Sequence, residues 1–389
     1  MKRIRSSVIT IGLIVLSLSL SPTFGNAQLM GKGPMGKGPM GKGVGKGFNN
    51  FSSANLVSDL DSVGAKFVDP NLVNPWGMAL SSSNTIFISD NGMGVSTEYD
   101  LDGTPTGLLI TIPPSSSDGA QGSPTGIVAN GTPFFKVMKN GNSLPSTFIF
   151  VAEDGSISGW NPMLDPTNAI IAVDNGNVPA GVGAVYKGAT MGVANGHNFL
   201  FVTNFRAGTV ETYDENFMQV NLTGFSDPNL PPTPFGMPGF APFGIANING
   251  QIYVTYALQK ADQHDDMEGA GNGFVNVFDT SGNFVKRLIS HGELNSPWGL
   301  TLHSGGFGRF NGELFVGNFG DGMINVYDPM NGSFLGTMMN HNGSGPLVFP
   351  GLWSLLSINV NLFFTAGIMD EAHGLFGVIN HGNSAHRHR

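Results

Sequence analysis

Pro75-Trp76-Gly77 opens the stretch of sequence that decides the fold. The bulky strand Ile86-Phe87-Ile88-Ser89-Asp90 follows, and the pair Tyr99-Asp100 ends a third strand in which apolar and polar residues alternate. Asp and Asn suit such an end because their side chains bond the following backbone and start a turn. The stretch therefore predicts consecutive antiparallel strands joined by tight turns.

The same three-part phrase recurs along the chain. Each recurrence opens with a turn and a small residue before an apolar strand: Pro124-Thr125-Gly126, Thr190-Met191-Gly192, Pro242-Phe243-Gly244, Pro297-Trp298-Gly299 and a decayed Leu352-Trp353-Ser354. A short fourth strand follows most of the phrases. Six units of four antiparallel strands predict a six-bladed β-propeller.

The two ends of the repeat array complement each other. The sixth unit stops after its third strand, and an unpaired strand, Asn55-Leu56-Val57-Ser58, precedes the first unit. Pairing the two would close the ring and hide both sheet edges. We therefore predict an all-β fold over 53–380, a six-bladed β-propeller with four-stranded blades whose N-terminal strand closes the last blade. A pair of β-sandwiches is the alternative, and the single repeated phrase disfavours it.

Composition assigns the segments outside the propeller. Residues 1–27 combine a basic start, an apolar stretch and a small-x-small ending, which predicts a cleaved signal peptide. An uncleaved anchor is the alternative, but the apolar stretch falls short of the roughly 20 residues that span a bilayer. Residues 28–52 form a Gly-, Lys- and Met-rich array, predicted to be a flexible linker, and 381–389 a His- and Arg-rich disordered tail. We expect a secreted, periplasmic or cell-envelope protein without a membrane span.

Charge and cysteine content exclude several classes of function. The chain has no cysteine, which excludes disulfides, thiolate metal sites and a cysteine nucleophile. All 27 acidic residues lie within the predicted propeller, whereas half of the 18 basic residues lie outside it. Nucleic-acid phosphates need a basic surface, so a nucleic-acid partner is not expected.

The chain resembles a known family at Asn71-Leu72-Val73-Asn74-Pro75-Trp76-Gly77 and at Ser89-Asp90-Asn91-Gly92. It is similar there, and over roughly 54–380, to a conserved hypothetical family of secreted bacterial propeller proteins. That family is in turn similar to NHL-repeat propellers and, more distantly, to lactonase and streptogramin-lyase propellers. The resemblance implies the fold and export, and it assigns no catalytic residue because none is established for the family.

The ends of the second strands are predicted to surround one mouth of the propeller, where propeller ligands usually bind. Asp90, Glu153, Asn204 and Asn318 lie at such ends. Carboxylate and amide oxygens suit Ca²⁺ or Mg²⁺, so these four residues are candidate metal ligands. The alternative is that each side chain caps its own turn. No cofactor is certain from the sequence, and Ca²⁺ and Mg²⁺ are the candidates.

A second group of side chains is predicted to contact a ligand at the same mouth. Its members are Trp76, Phe243, Trp298, Trp353, Asn91 and Arg206. Tryptophan rings can stack on sugars or other flat ligands, or they can fill the space between neighbouring blades. The sequence leaves both interpretations open.

Two inserted loops carry the least repetitive chemistry, and loops on a rigid scaffold commonly carry function. The fourth unit contributes Asp262, His264, Asp265, Asp266 and Glu268, and the sixth contributes Asp370, Glu371 and His373. Both loops should rise from one face of the propeller. They form an alternative cation or ligand site, or simply a solvated acidic rim.

Two function hypotheses follow. The first is a monomeric, non-enzymatic binding or scaffold module of the cell envelope or extracellular space, for an extracellular ligand or protein, with carbohydrate one candidate. The second is a metal-assisted lactonase-like or lyase-like hydrolase with a divalent cation among Asp90, Glu153, Asn204 and Asn318. The sequence contains no nucleophile elbow, zinc-protease helix motif or phosphate-binding loop, so other hydrolytic or nucleotide chemistry has no support.

Overall fold

The computed structural model describes residues 51–117, 119, 121–178, 182–222, 224–231, 239–303 and 305–381. The chain divides into two compact units, Met1–Gly47 and Phe48–Arg389, and every described residue belongs to the second. The predicted signal peptide, nearly all of the predicted linker and the tail beyond residue 381 lie outside the described residues, so they stay predictions.

The described residues form 27 strands and three short 3₁₀ helices. Strands β1 (Phe51–Ser58) and β2 (Phe67–Val68) come first. Blade 1 contains β3 (Pro75–Leu80), β4 (Thr85–Asp90), β5 (Val95–Asp100) and β6 (Pro105–Thr111). Blade 2 contains β7 (Pro124–Ala129), the inserted β8 (Lys136–Lys139) and β9 (Asn142–Pro145), then β10 (Phe148–Ala152), β11 (Ser156–Trp160) and β12 (Ile170–Asp174). Blade 3 contains β13 (Tyr186–Ala194), β14 (His197–Asn204), β15 (Thr209–Tyr213) and β16 (Gln219–Val220).

The remaining three blades follow the same plan. Blade 4 contains β17 (Phe240–Ile248), β18 (Gln251–Leu258), β19 (Phe274–Asp279) and β20 (Phe284–Ser290). Blade 5 contains β21 (Pro297–His303), β22 (Glu313–Asn318), β23 (Ile324–Tyr327) and β24 (Phe334–Thr337). Blade 6 contains β25 (Leu352–Ile358), β26 (Asn361–Ala366) and β27 (Leu375–His381). The 3₁₀ helices are Asp61–Val63, Asn91–Met93 and Gly308–Phe310.

The six blades close into a ring around the first strand of each blade. Within a blade the successive strands pair antiparallel. The first strands contact one another in order around the axis, and β25 of blade 6 returns to β3 of blade 1. The prediction of a six-bladed, all-β propeller is confirmed.

Strand β1 closes the ring, as predicted. It pairs antiparallel with β27 from Phe51 opposite His381 to Ser58 opposite Leu375, and so supplies the fourth strand of blade 6. The strand begins two residues before the predicted boundary at 53, because the Phe51 ring packs 5.1 Å from that of Phe307 in blade 5. This contact anchors the start of the closing strand in the core.

Glycines let the inner strands approach each other closely. A Cβ added at Gly244 would lie 2.0 Å from the carbonyl oxygen of Trp298, and one at Gly299 would lie 2.3 Å from that of Trp353. These distances are far shorter than van der Waals contact, so no larger residue fits without a backbone shift. The glycine of the repeated phrase is therefore explained by packing around the axis.

The third unit opens four residues earlier than predicted. Tyr186 lies opposite Asn204 in the ladder, as Pro75 lies opposite Asp90 in blade 1. The opening is therefore Tyr186-Lys187-Gly188, and the prediction of Thr190-Met191-Gly192 was wrong. The reason is that β13 is nine residues long and contains two glycines in the first-strand pattern. Gly192 lies further along the strand and was mistaken for the axial glycine, which is Gly188.

The core lies mainly between neighbouring blades. Phe87 of blade 1 and Phe148 of blade 2, for example, pack with ring centroids 4.1 Å apart, and Trp160 completes that cluster. The inserted hairpin β8–β9, which was not predicted, adds Phe135 and Val137 to a cluster shared by blades 2 and 3. This insertion explains why the second unit is the longest.

Candidate functional site

Three tryptophans fill the axis of the propeller. Trp76 stacks on Trp353 with ring centroids 3.4 Å apart, and Trp298 meets both rings edge-on at 5.9 and 5.8 Å. Together with Phe243 these rings are buried, and we call the four residues the tryptophan plug. Trp76 and Trp353 line a cavity at the mouth, whereas Phe243 and Trp298 do not. Two of the four aromatic residues predicted to contact a ligand therefore lie where a ligand at the mouth could reach them.

The mouth cavity lies outside the plug and has a volume of about 480 Å³. Every blade contributes to its lining: Trp76 from blade 1, Glu153 from blade 2, Lys187 from blade 3, the loop 260–268 from blade 4, Phe319 and Asp321 from blade 5, and Trp353, Asp370 and Glu371 from blade 6. A second cavity, about 260 Å³, is lined by the inner strands and by Trp298. All six blades therefore contribute at least one residue to the wall of the mouth cavity.

Lys187 is the central residue of the mouth, and sequence reasoning missed it. Its side chain is 3 % exposed and donates a hydrogen bond to the Glu153 carboxylate, while its ammonium lies 3.9 Å from Asp265. The ammonium also lies 5.1 Å from the ring centroid of Trp76, a cation–π contact. Lys187 occupies in blade 3 the place of Trp76 in blade 1, immediately before the axial glycine. That position was the available signal, and the misplaced third opening concealed it.

Glu153 points into the mouth because it lies one residue beyond the end of its strand. Ala152, not Glu153, pairs with Pro124 in the ladder, so Glu153 corresponds to Asn91 of blade 1. The Asn91 side-chain amide donates to the Glu153 carboxylate at 2.9 Å. Burial raises the pKa of Glu153, but the charges of Lys187 and His264, together with the hydrogen bonds from Lys187 and Asn91, hold that pKa below its ordinary value.

The other three predicted metal ligands lie inside their own blades. Asp90 is fully buried and accepts hydrogen bonds from the Thr97 backbone N–H at 3.0 Å and hydroxyl at 2.8 Å. Asn204 donates to Glu211 at 2.7 Å, and Asn318 donates to the carbonyl oxygen of Glu293, also at 2.7 Å. Of the four candidates, only Glu153 lines the mouth cavity, so the set is not gathered around one ion.

Burial also shifts the pKa of Asp90. Removal from water raises the pKa of this carboxyl well above its ordinary value, although the hydrogen bonds from Thr97 act in the opposite direction. Its Oδ1 atom has no hydrogen-bond partner within the described part of the chain. The residue thus behaves as an internal cap of blade 1.

The two acidic loops meet at the mouth, as predicted. His264, Asp265 and Asp266 from blade 4 and Asp370 and Glu371 from blade 6 all line the cavity. The remaining loop candidates have other contacts: the Asp262 carboxylate accepts from the His264 backbone N–H at 3.1 Å, and His373 lies 2.5 Å from Asp59. Arg206 donates to the carbonyl oxygen of Val182 at 2.6 Å, at a shallow depression beside Glu153.

One group of side chains at the mouth has metal-binding spacing. Potential ligand atoms of Glu153, His264 and Asp265 all lie within 4.8 Å of one another. The hydrogen bond from His264 is the main reason that the pKa of Asp265 falls to about 2. An imidazole with two carboxylates suits a transition metal better than Ca²⁺ or Mg²⁺, which prefer oxygen ligands alone. The Lys187 ammonium already pairs with two members of this group, Glu153 and Asp265.

A strained turn positions Glu371. Met369, Asp370 and Glu371 have φ values of 56°, 53° and 64°, a left-handed conformation that costs roughly 1–2 kcal/mol per residue. The Glu371 carboxylate accepts from the Asn74 side-chain amide at 2.7 Å, and the Asn74 side-chain oxygen Oδ1 accepts from the Trp353 indole at 3.0 Å. These bonds join the acidic loop to the tryptophan plug. Burial raises the pKa of Glu371.

Two solved structures show a distant likeness to this chain. Virginiamycin B lyase from Staphylococcus aureus has a TM-score of 0.47 and 14 % identity, covering 85 % of this chain and 99 % of the lyase. A gluconolactonase from Xanthomonas campestris has a TM-score of 0.46 and 12 % identity, covering 80 % and 86 %. Likenesses at this level carry no conclusion about the chemistry of this chain.

Sequence comparison gives closer relatives. No protein-family model matches the chain. "Uncharacterized protein R648" of Acanthamoeba polyphaga mimivirus is 30 % identical over 320 residues, covering 81 % of this chain and 76 % of that protein. "Uncharacterized protein L690" of the same virus is 31 % identical, covering 80 % and 81 %. The bacterial origin implied by the resemblance is thus not supported by these viral relatives. The chain belongs to the family that contains these two mimivirus proteins.

Proposed function

We propose that this protein is a non-enzymatic binding module whose mouth cavity holds a small polar ligand. The observation that carries the proposal is the cavity itself, with Trp76 and Trp353 of the tryptophan plug in its wall and charged side chains from blades 2 to 6 around it. A concave site with an aromatic base and convergent polar side chains is the usual form of a small-molecule site. Its volume, about 480 Å³, lies in the range of such sites.

The position of Lys187 favours binding over metal-assisted hydrolysis. A hydrolase of the predicted type needs a divalent ion with an open coordination position at the mouth. The Lys187 ammonium instead contacts Glu153 and lies 3.9 Å from Asp265. It thereby supplies the positive charge that these carboxylates require.

A metal-assisted lactonase-like or lyase-like hydrolase is the second candidate. The spacing of Glu153, His264 and Asp265 supports it, because their ligand atoms lie within 4.8 Å of one another. Lys187 would then have to leave this group when the ion binds. The two candidates thus differ in whether a divalent ion displaces the lysine.

Export is part of the proposal. The basic and apolar residues of 1–27 support a cleaved signal peptide, which would place the propeller outside the cytoplasm or in the cell envelope. Among the residues that the structure describes, no helix is long and apolar enough to cross a membrane. N-terminal sequencing of exported protein checks this part, with a mature start near Gln28 as the expected result.

A ligand screen with a blocked cavity tests the binding proposal. Tag-free protein is screened by thermal shift against a panel of sugars, amines, organic acids and short peptides. Pro350 is exposed at the cavity edge, so Pro350→Trp should obstruct entry, whereas the exposed Pro162 of blade 2 offers Pro162→Trp as the matched control. Compounds that stabilise the wild type should lose their effect only in Pro350→Trp. A panel without a stabilising compound, or equal shifts in both variants, would contradict the proposal.

A further inference from the structure

The charges that line the mouth cavity are unbalanced. Seven carboxylates face it, against two lysines. Lys187 is engaged by Glu153 and Asp265, and the second lysine, Lys260, is exposed to solvent. The five carboxylates that remain are Asp266, Glu268, Asp321, Asp370 and Glu371. The cavity therefore keeps a strong negative potential, which attracts cations.

Asp266 is the most buried of these five carboxylates, and it lines the cavity. The residue is only 5 % exposed, and its Oδ2 atom has no hydrogen-bond partner within the described residues. A buried carboxylate oxygen without a donor is costly unless another group supplies one. Asp266 lines the mouth cavity, so a cationic ligand in the cavity would offset this buried charge.

The arrangement of the five carboxylates suits an extended ligand better than a single metal ion. Among the described residues, the group with metal-binding spacing is Glu153, His264 and Asp265, and none of the five belongs to it. One ion needs its ligand atoms gathered within a few ångströms. Carboxylates from blades 4, 5 and 6 around a cavity of about 480 Å³ can instead contact several donors on one molecule.

The inner end of the cavity provides apolar surface for the same ligand. Phe319 is partly exposed and stacks on Trp353 with ring centroids 4.1 Å apart, and both residues line the cavity. Aromatic faces attract ammonium groups and pack well against methylene segments. Carboxylates above aromatic rings are thus complementary to amines separated by short carbon chains.

We propose that the mouth cavity binds a small organic polycation, a di- or polyamine, through Asp266, Glu268, Asp321 and Asp370, with its methylene segments on Phe319. This inference rests on the proposed function, because it names the ligand class of the same cavity. Lys187 and Glu153 then form a fixed base beneath the ligand rather than part of its recognition.

Isothermal titration calorimetry measures the affinity of the full, tag-free chain for spermidine and so tests the inference. Asp266→Asn should weaken spermidine binding at least tenfold, and Asp321→Asn should weaken it severalfold. Asp102→Asn removes one negative charge from an exposed Lys66 ion pair away from the cavity and should leave binding unchanged. Circular dichroism of each variant establishes whether it is folded. If Asp266→Asn does not fold, the Asp321→Asn variant tests the inference in its place.

The outcomes separate this inference from the broader proposal. Spermidine binding that is lost in Pro350→Trp and reduced in the cavity variants supports the inference. Equal weakening by Asp102→Asn shows non-specific charge attraction and overturns it, as does displacement of spermidine by equimolar Ca²⁺. If a neutral sugar binds at the cavity and spermidine does not, the inference fails while the proposed function stands. If neither spermidine nor any panel compound binds, both fail.

Discussion

Lys187 and Glu153 form a buried ion pair that joins blade 3 to blade 2 at the mouth of the propeller. Their side chains are only 3 % and 14 % exposed, so neither charge is well solvated. The carbonyl oxygen of Lys187 also accepts a hydrogen bond from the Trp298 indole at 3.1 Å, which ties the pair to the tryptophan plug. The ion pair is thus both a structural link between blades and the base of the candidate ligand site.

Breaking this pair should be strongly destabilising. Lys187→Met leaves the Glu153 charge buried without its partner, and such losses cost about 3–5 kcal/mol. The double variant Lys187→Met with Glu153→Gln removes both charges, so it should be more stable than Lys187→Met alone. Urea unfolding of the wild type, both single variants and the double variant measures the coupling. Additive effects of the two substitutions would show that the pair does not act as a unit.

The axial glycines should not tolerate a methyl group. In Gly299→Ala the new Cβ would lie 2.3 Å from the carbonyl oxygen of Trp353, so blades 5 and 6 must separate. We expect a loss of about 1–3 kcal/mol, as for other overpacked sites. Gly131→Ala is the control, because a Cβ there meets nothing within 4 Å. Chemical denaturation compares the two, and equal stability would mean that the inner strands are not tightly packed.

Closure of the ring should depend on β1. Deleting Phe51–Ser58 removes the fourth strand of blade 6 and exposes the edge of β27, so we expect aggregation or a large loss of stability. Deleting 28–47, in the predicted linker, should have little effect. Melting temperature and light scattering report both results. An unchanged melting temperature after removal of β1 would show that the ring closes without this strand.

Stability should depend on pH through Asp90. Because burial raises the pKa of Asp90 in the folded state above that in the unfolded state, the folded state binds the proton more tightly. Stability from this residue is therefore lost as the pH rises above the ordinary Asp range of about 4. Asp90→Asn should gain in melting temperature relative to the wild type as the pH rises above about 4. The exposed variant Asp102→Asn should not show this gain, and a difference that does not change with pH would contradict the raised pKa of Asp90.

Much of the fold could be predicted because the repeated phrase contains residues that packing and turn formation require at fixed places in each blade. The glycine at Gly77 or Gly244 marks the axis, and the aromatic-Asp pair Tyr99-Asp100 marks a strand end. The closing role of Asn55–Ser58 followed from an unpaired edge at each end of the array. The hairpin β8–β9 escaped prediction because it interrupts a unit without altering the phrase on either side.

The candidate site was less predictable, for two physical reasons. Side chains of adjacent strand residues point to opposite faces, so an offset of one residue separates Asp90, buried in its blade, from Glu153 at the mouth. Lys187 was missed because Thr190-Met191-Gly192, later in the same strand, was predicted to open the third unit. Its role depends on contacts with Trp76 and Glu153 from two other blades, which no local pattern encodes.

The most direct test of the account is whether a divalent ion binds at the mouth, where we place the Lys187 ammonium between Glu153 and Asp265. Tag-free protein is first subjected to elemental analysis and then dialysed against chelator, and its thermal unfolding is followed with and without added Zn²⁺, Mn²⁺, Ca²⁺ or Mg²⁺. A ligand that binds only the folded state would raise the melting temperature. We predict superimposable melting curves and no retained divalent ion. A clear rise in the wild type that disappears in Glu153→Gln would contradict the account and establish a metal centre in its place.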